Sequence, residues 1–128
     1  MNQIEVLVVD DECLVQRFVK ETLEEAGFRC VMISSGEEAL GFLRKAGDQY
    51  RALVTDVRLG PEVMDGWQLA REVREMRPEF PIVYMTGDSA EEWTAHGVPN
   101  SILLTKPFAP AQLVTAVSQL LNAGSPPP

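Results

Sequence analysis

The stretch Ile4-Glu5-Val6-Leu7-Val8-Val9-Asp10-Asp11-Glu12 decides the fold. Val6 to Val9 is apolar at every position, whereas a strand with one wet face would alternate. The run therefore reads as a strand covered on both faces, as in a parallel sheet. Three acidic residues come at once, where the chain leaves that strand. Ala52-Leu53-Val54, Ile82-Val83-Tyr84-Met85 and Ile102-Leu103-Leu104 repeat the apolar theme, and Cys30 to Ile33 is a weaker instance. Between these runs the period lengthens to that of a helix. Leu14, Phe18 and Ala26 keep fourfold spacing beside Val15, Val19 and Leu23, and together they predict one helix face. Ser35-Gly36-Glu37-Glu38 fits a capping box ahead of Ala39, Leu40, Leu43 and Ala46. Leu69, Val73 and Met76 form a further stripe that stops before Pro78. A short helix is expected within Ser89 to His96, cut off by Gly97 and Pro99. Pro110 opens a last helix carrying Leu113, Val117 and Leu120, with its stop at Asn122 to Gly124. The alternation βαβαβαβαβα implies an α/β fold, a parallel sheet with helices on both faces.

The chain has 128 residues, of which 45% are apolar, and this suits one compact domain. Nineteen Asp and Glu against 11 Lys and Arg give a net charge of −8. That balance argues against binding to a nucleic-acid backbone, which needs a cationic surplus to displace counterions. No apolar run is long enough for a membrane span, and Met1 to Glu5 lacks the basic and apolar parts of a signal peptide. Cys13 and Cys30 form no CxxC, consistent with a reducing cytoplasm. The expected domain covers residues 1–122. The Pro-rich end, residues 123–128, reads as a frayed tail or linker stub.

In sheets of this kind ligands bind beyond the carboxyl ends of the strands. The residues at those ends are Asp10, Asp11 and Glu12 after the first, Asp56 after the third, Thr86 and Gly87 after the fourth, and Lys106 and Pro107 after the fifth. Crowded carboxylates repel one another, and a hard divalent cation with oxygen ligands relieves that. A carboxylate can also be a nucleophile toward phosphorus, giving an aspartyl phosphate. Lys106 and Thr86 would then hold the new oxygens, with backbone N–H groups near Gly87 assisting.

The arrangement resembles the response-regulator receiver domain, the CheY-like superfamily, over residues 4 to 122. Five fragments carry the resemblance: Val8-Val9-Asp10-Asp11-Glu12, Asp56, Met64-Asp65-Gly66, Thr86-Gly87 and Lys106-Pro107-Phe108. The resemblance implies a doubly wound, flavodoxin-like three-layer sandwich with strand order 2-1-3-4-5. It implies that Asp56 accepts a phosphoryl group from a histidine kinase or histidine phosphotransfer protein. Asp11 would bind Mg²⁺ (or Mn²⁺) directly, Asp10 mainly through water, and Asp56 and the main-chain carbonyl of Arg58 would complete the protein ligands. Lys106 would pair with the phosphoryl group and Thr86 would act as the switch. The Lys106–Pro107 bond is usually cis in this family. The domain would not be a conventional turnover enzyme. It would signal to a downstream protein effector through its fourth helix, fifth strand and fifth helix, as a monomer or weak dimer.

Three departures from the family pattern stand out. The segment from Asp56 to Met64-Asp65-Gly66 is two residues longer than is commonest, the extra length lying within Arg58-Leu59-Gly60-Pro61-Glu62-Val63. Leu103 stands three residues before Lys106, where many receivers carry an aromatic switch partner. Readout is therefore expected through the segment after Thr86, including Trp93 and His96. Lastly, Arg58 and Asp88 stand two residues past Asp56 and Thr86, flanking the phosphoryl position, and their opposite charges are expected to bridge the mouth.

Plainer readings compete. Asp10-Asp11-Glu12 could cap the first helix, Asp65-Gly66 could be only a turn and cap, and Lys106 alone would be a solvated lysine. Cys13 and Cys30 read as packing or surface residues, His96 as structural or exposed, and Trp67 as packed at the start of the third helix. For Trp93 burial and an exposed partner-binding role are both open. The competing functions are a receiver fragment of a larger transcriptional regulator, a scaffold that takes no phosphate, and an Asp-nucleophile phosphohydrolase of the haloacid-dehalogenase type. The last needs a D-x-D pair where this chain has Asp10-Asp11-Glu12. A stand-alone receiver is the preferred expectation.

Overall fold

A computed structural model describes residues 3–46, 48–60 and 64–123. Five strands alternate with five helices: β1 (Glu5–Val9), α1 (Cys13–Glu25), β2 (Arg29–Ile33), α2 (Gly36–Ala46), β3 (Tyr50–Asp56), α3 (Gly66–Met76), β4 (Ile82–Thr86), α4 (Trp93–His96), β5 (Ile102–Thr105) and α5 (Pro110–Ala123). The strands pair in parallel in the order β2-β1-β3-β4-β5. This is the α/β fold that the alternation predicts, in the flavodoxin-like strand order that the resemblance implies.

Packing on both faces of the sheet accounts for the unbroken apolar run of β1. Alternate side chains of a strand point to opposite faces. Leu7 and Val9 join Leu53, Ile82 and Tyr84 in one apolar cluster, closed by Leu40 and Leu43 of α2 and Leu69 and Val73 of α3. Val6 and Val8 join Ala52, Val54, Val83 and Met85 in the other, closed by Val19 and Leu23 of α1 and Leu113 and Val117 of α5. Val6 to Val9 are fully buried. Each such side chain contributes about 1.5–3 kcal/mol of burial, so β1 is the spine of both cores. None of the described helices is long and apolar enough to cross a membrane.

Two helix faces differ from the periodic reading. The row Val15, Val19 and Leu23 of α1 faces the sheet, with Val19 and Leu23 fully buried. The neighbouring row does not: Leu14 is 79% exposed and Phe18 is 36% exposed. The rows lie about 100° apart around the helix, and only one of them can point at the sheet. Leu14 and Phe18 border an open apolar groove with Val15, Pro107 and Phe108 instead. The rings of Phe18 and Phe108 stand 5.7 Å apart there. In α3 the buried stripe ends at Val73, and Met76 in the last turn is exposed.

Helix α4 is a single turn, preceded by a 3-10 turn at Ala90–Glu92. It stops at Gly97, as expected. A Cβ on Gly97 would overlap the Trp93 ring, so the indole lies flush on that glycine. The segment is tied down despite its shortness. The Trp93 indole N–H donates to Ser101 Oγ (3.0 Å), and the Val98 amide donates to the hydroxyl of buried Tyr84 (3.1 Å). Arg74 of α3 donates to the carbonyls of Phe80, Pro99 and Asn100. Trp93 is thus half-anchored, with 37% of it still exposed. Trp67 is buried at the start of α3, its ring 4.6 Å from that of Tyr84.

Candidate functional site

The order of the sheet reverses at β1, so the chain leaves β1 and β3 toward opposite sides and opens a crevice beyond their carboxyl ends. Asp10 and Asp56 sit there. Asp10 is fully buried just past β1, and its amide extends the ladder to the Ile33 carbonyl (3.1 Å). One carboxylate oxygen accepts the Glu12 amide (2.8 Å), which points Asp11 and Glu12 outward as exposed side chains. Glu12 occupies the N-cap position of α1 without a side-chain cap bond. Of the acidic triplet, only Asp10 bonds the backbone of this turn, through the Glu12 amide, and Glu12 itself makes no side-chain cap bond. Gln16 steadies the turn from below, donating to the Asp10 carbonyl (2.6 Å).

Asp56 ends β3 with only 7% of its surface exposed. Gly66 sets the path of the chain beyond it. The Gly66 amide donates to the Val57 carbonyl (2.7 Å), and a Cβ at this position would overlap the Asp56 carbonyl oxygen. Only glycine admits that approach. Asp65 caps α3 by accepting the Gln68 amide (2.9 Å). Met64-Asp65-Gly66 is thus more than a turn and cap, since it seats α3 against the strand end that carries Asp56. Residues 61–63 of the longer connection lie outside the described residues. Of its described part, Leu59 is buried and Gly60 has φ +126°, a left-handed conformation suited to glycine.

Lys106 follows β5, and its peptide bond to Pro107 is cis. Its ammonium stands 3.3 Å from Asp10 Oδ2 and 3.4 Å from Asp56 Oδ2, bridging the two buried carboxylates. Carboxylate oxygens of Asp10, Asp11, Glu12 and Asp56 all lie within 4.8 Å of one another, and Lys106 pairs with two of these four acids. Burial, and then the neighbouring Asp10 charge, push the Asp56 carboxyl up to about 6. Burial raises Asp10 also. Burial alone would lower Lys106, but the Asp56 and Asp10 carboxylates outweigh it and hold the ammonium above the ordinary lysine value.

Thr86 ends β4 and is buried. Its hydroxyl accepts the amides of Ser89 (2.9 Å) and Asp88 (3.3 Å), so it turns into the loop after β4. Arg58 and Asp88 do bridge, Nε to Oδ1 at 3.0 Å, between the loops after β3 and β4. Beside them opens a cleft of about 490 Å³ whose lining includes Asp11, Arg58, Trp67, Ser89 and Glu92. Leu103 pairs in register with Tyr84 and is half-buried against the core that contains it. His96 is exposed, with its ring 6.3 Å from that of Trp67. Cys13 is exposed, and Cys30 is half-buried with its thiol pushed up to about 12 by burial, so Cys30 is not an activated nucleophile.

Glu12 and Ser89 belong to this constellation although the sequence reading names neither as a metal, catalytic or switch residue. Glu12 is signalled only by adjacency to Asp11. Nothing in the sequence marks Ser89, whose importance comes from the turn around Thr86.

A hard-oxygen cluster beside a half-buried lysine, at the switch point of a doubly wound sheet, defines a signalling domain of the receiver class with an acidic Mg²⁺-type site. The chain belongs to the response regulator receiver domain family, whose model matches residues 6–118. A response regulator receiver protein from Sinorhizobium medicae WSM419 is 47% identical with a TM-score of 0.90, covering 95% of this chain and 97% of that one. The receiver domain of the sensor histidine kinase PA1611 from Pseudomonas aeruginosa PAO1 is 25% identical with a TM-score of 0.81, covering 94% of this chain and 99% of that one. That structure has a magnesium ion coordinated in its active-site cleft. The sensor kinase CckA of Brucella abortus is 34% identical over 120 residues, 91% of this chain but 12% of the kinase. The chain also spans about half the length of the transcriptional regulatory proteins that it matches.

Proposed function

We propose that this domain accepts a phosphoryl group on Asp56 from a histidine kinase or histidine phosphotransfer protein, and signals by changing which proteins it binds. The observation that carries the reading is the ammonium of Lys106 bridging Asp10 and Asp56. A buried carboxylate poised beside one lysine in an acidic cluster is built for attack on phosphorus.

An oxygen of Asp56 forms the bond to phosphorus as the P–N bond to the donor imidazole breaks. The imidazole nitrogen leaves with that electron pair and takes a proton. The four clustered carboxylates offer the hard-oxygen donors that Mg²⁺ prefers, and Asp10, Asp11, Asp56 and the Arg58 carbonyl are the residues that would hold it. When bound, the cation neutralises charge on the carboxylates and on the incoming phosphoryl oxygens. Lys106 moves from pairing two carboxylates to pairing one of them and the phosphoryl group. Thr86 supplies its hydroxyl, and the Gly87 amide and the Asp88 side chain border the same position. The protein's contribution is placement and charge, as phosphoryl transfer requires. A donor helix must reach Asp56 past the rim, and Leu14, Phe18 and Phe108 offer it an apolar bank beside Lys106.

Readout runs through the segment from Gly87 to Pro99, with Trp93 and its surroundings as the part a protein effector touches. Leucine at 103 has no ring or hydroxyl to swing, whereas Thr86 is bonded directly into this segment. Modification would shift an existing equilibrium rather than create a new fold. Transfer from a phosphorylated histidine phosphotransfer protein to wild type and to Asp56→Asn tests the reading. Label on wild type alone supports it, and equal label on both refutes it.

A further inference from the structure

The Arg58–Asp88 pair does more than cross the mouth. Asp88 Oδ1 accepts Arg58 Nε (3.0 Å) and also the hydroxyl of Ser89 (2.9 Å). Ser89 is buried, and its amide donates to Thr86 Oγ1 (2.9 Å), as the Asp88 amide does (3.3 Å). A continuous chain of bonds therefore runs from Arg58 through Asp88 and Ser89 to the hydroxyl of Thr86. It joins the loop after Asp56 to the loop after Thr86. While it is made, the Thr86 oxygen accepts from two amides of its own loop.

Arg58 has an alternative partner. It stands two residues past Asp56 and lines the cleft beside the acidic cluster together with Asp11. A phosphoryl group on Asp56 replaces the single carboxylate charge with close to two negative charges and brings three acceptor oxygens to that spot. A guanidinium fork binds such oxygens in pairs and more strongly than it binds one exposed carboxylate oxygen.

We propose that Arg58 is a positioning residue that latches the loop after β4 through Asp88 in the unmodified domain, and that it transfers to the phosphoryl group when Asp56 is modified, releasing Asp88, Ser89 and the Thr86 hydroxyl. The proposal rests on the phosphoacceptor reading of Asp56. Both side chains of the pair are about two-thirds exposed, at 66% and 64%. A pair so wet shifts an equilibrium by no more than about fivefold, which suits a latch that must open.

Two measurements test it. The first needs no phosphoryl group. Hydrogen exchange of the Ser89 amide is compared in the unmodified wild type, Arg58→Gln and Asp88→Asn. The latch predicts roughly twofold to fivefold faster exchange in both variants, with amides of β1 unchanged as a control for folding. An unchanged Ser89 rate overturns the latch. The second is titration with beryllofluoride and Mg²⁺, a mimic of the aspartyl phosphate. Asp88→Asn should bind the mimic several-fold more tightly than wild type when Arg58 is present, and no more tightly in the Arg58→Gln background. Equal effects in both backgrounds, or none, overturn the transfer of Arg58. Failure of wild type to bind the mimic, or undiminished binding by Asp56→Asn, refutes the phosphoacceptor reading and the transfer with it. The exchange measurement still decides the latch in that case.

Discussion

Replacing Asp56 by asparagine should make the metal-free protein more stable at neutral pH. The folded-state carboxyl is pushed up to about 6 from an ordinary value of 3.8, by burial first and the Asp10 charge second. A group raised in this way favours the folded state while both states are protonated, below about pH 4. The advantage disappears as pH rises through the folded value, because the unfolded chain releases its proton earlier. The shift is about two units, and at roughly 1.4 kcal/mol per unit it amounts to about 3 kcal/mol of strain at about pH 7.5. Asparagine removes the charge and keeps the shape. Lys106 keeps Asp10 as a partner at 3.3 Å, so the loss on that side is small. For 128 residues the unfolding entropy is roughly 0.27 kcal/mol/K, so about 3 kcal/mol corresponds to roughly 10 °C, and a gain of about 4–10 °C allows for the weakened lysine pairing. The assay is thermal unfolding with chelator at about pH 5 and about pH 7.5. The gain should be largest at the higher pH and shrink at the lower. Added Mg²⁺ should raise the Tm of wild type more than that of the variant, closing the gap. A variant that is less stable than wild type at the higher pH, or a gap independent of pH, refutes the electrostatic account of the site.

Other substitutions should separate the parts of the site. Lys106→Met leaves two buried carboxylates without their cation and should cost about 3 kcal/mol at neutral pH, less in mild acid, with phosphoryl transfer strongly slowed; urea melts and transfer kinetics read both. Gly66→Ala forces a Cβ onto the Asp56 carbonyl and should destabilise by at least about 2 kcal/mol, whereas Gly41→Ala, where a Cβ meets nothing within 4 Å, should not; urea melts of the two variants check the contrast. Thr86→Ala strips the buried Ser89 amide of its acceptor and should cost about 1–2 kcal/mol in unfolding while uncoupling mimic binding from shifts in the segment Gly87 to Pro99, monitored by amide NMR.

The sheet was legible because β1 and β4, buried along almost their whole length, read as short unbroken apolar runs set between stretches of helical period, and the other strands repeat that theme more weakly. The principal acids were legible because strand ends collect at one edge. Chain order alone placed Asp10, Asp56, Thr86 and Lys106 together. Periodicity could not tell which row of α1 meets the sheet, since Leu14 and Phe18 are as apolar as Val15 and Val19, and only packing separates them. It also could not show that Gly66 is required by a backbone oxygen of β3, because that contact joins two separate elements. Ser89 is the sharpest omission. A serine after a turn is unremarkable in sequence, and its role arises from bonds that exist only when the loop closes on Thr86 and Asp88. The Arg58–Asp88 bridge, by contrast, was expected, but only through the family resemblance, which sets both positions beside the phosphoryl site and makes their strands neighbours.

The most direct test of the account is to incubate the domain with Mg²⁺ and a panel of phosphodonors, phosphorylated histidine phosphotransfer proteins and small acyl phosphates among them, then locate the label by reduction and peptide mass. The account predicts one acid-stable, base-labile phosphoryl group on Asp56, dependent on Mg²⁺ and absent from Asp56→Asn. Label on another residue, or none from any donor, would contradict it.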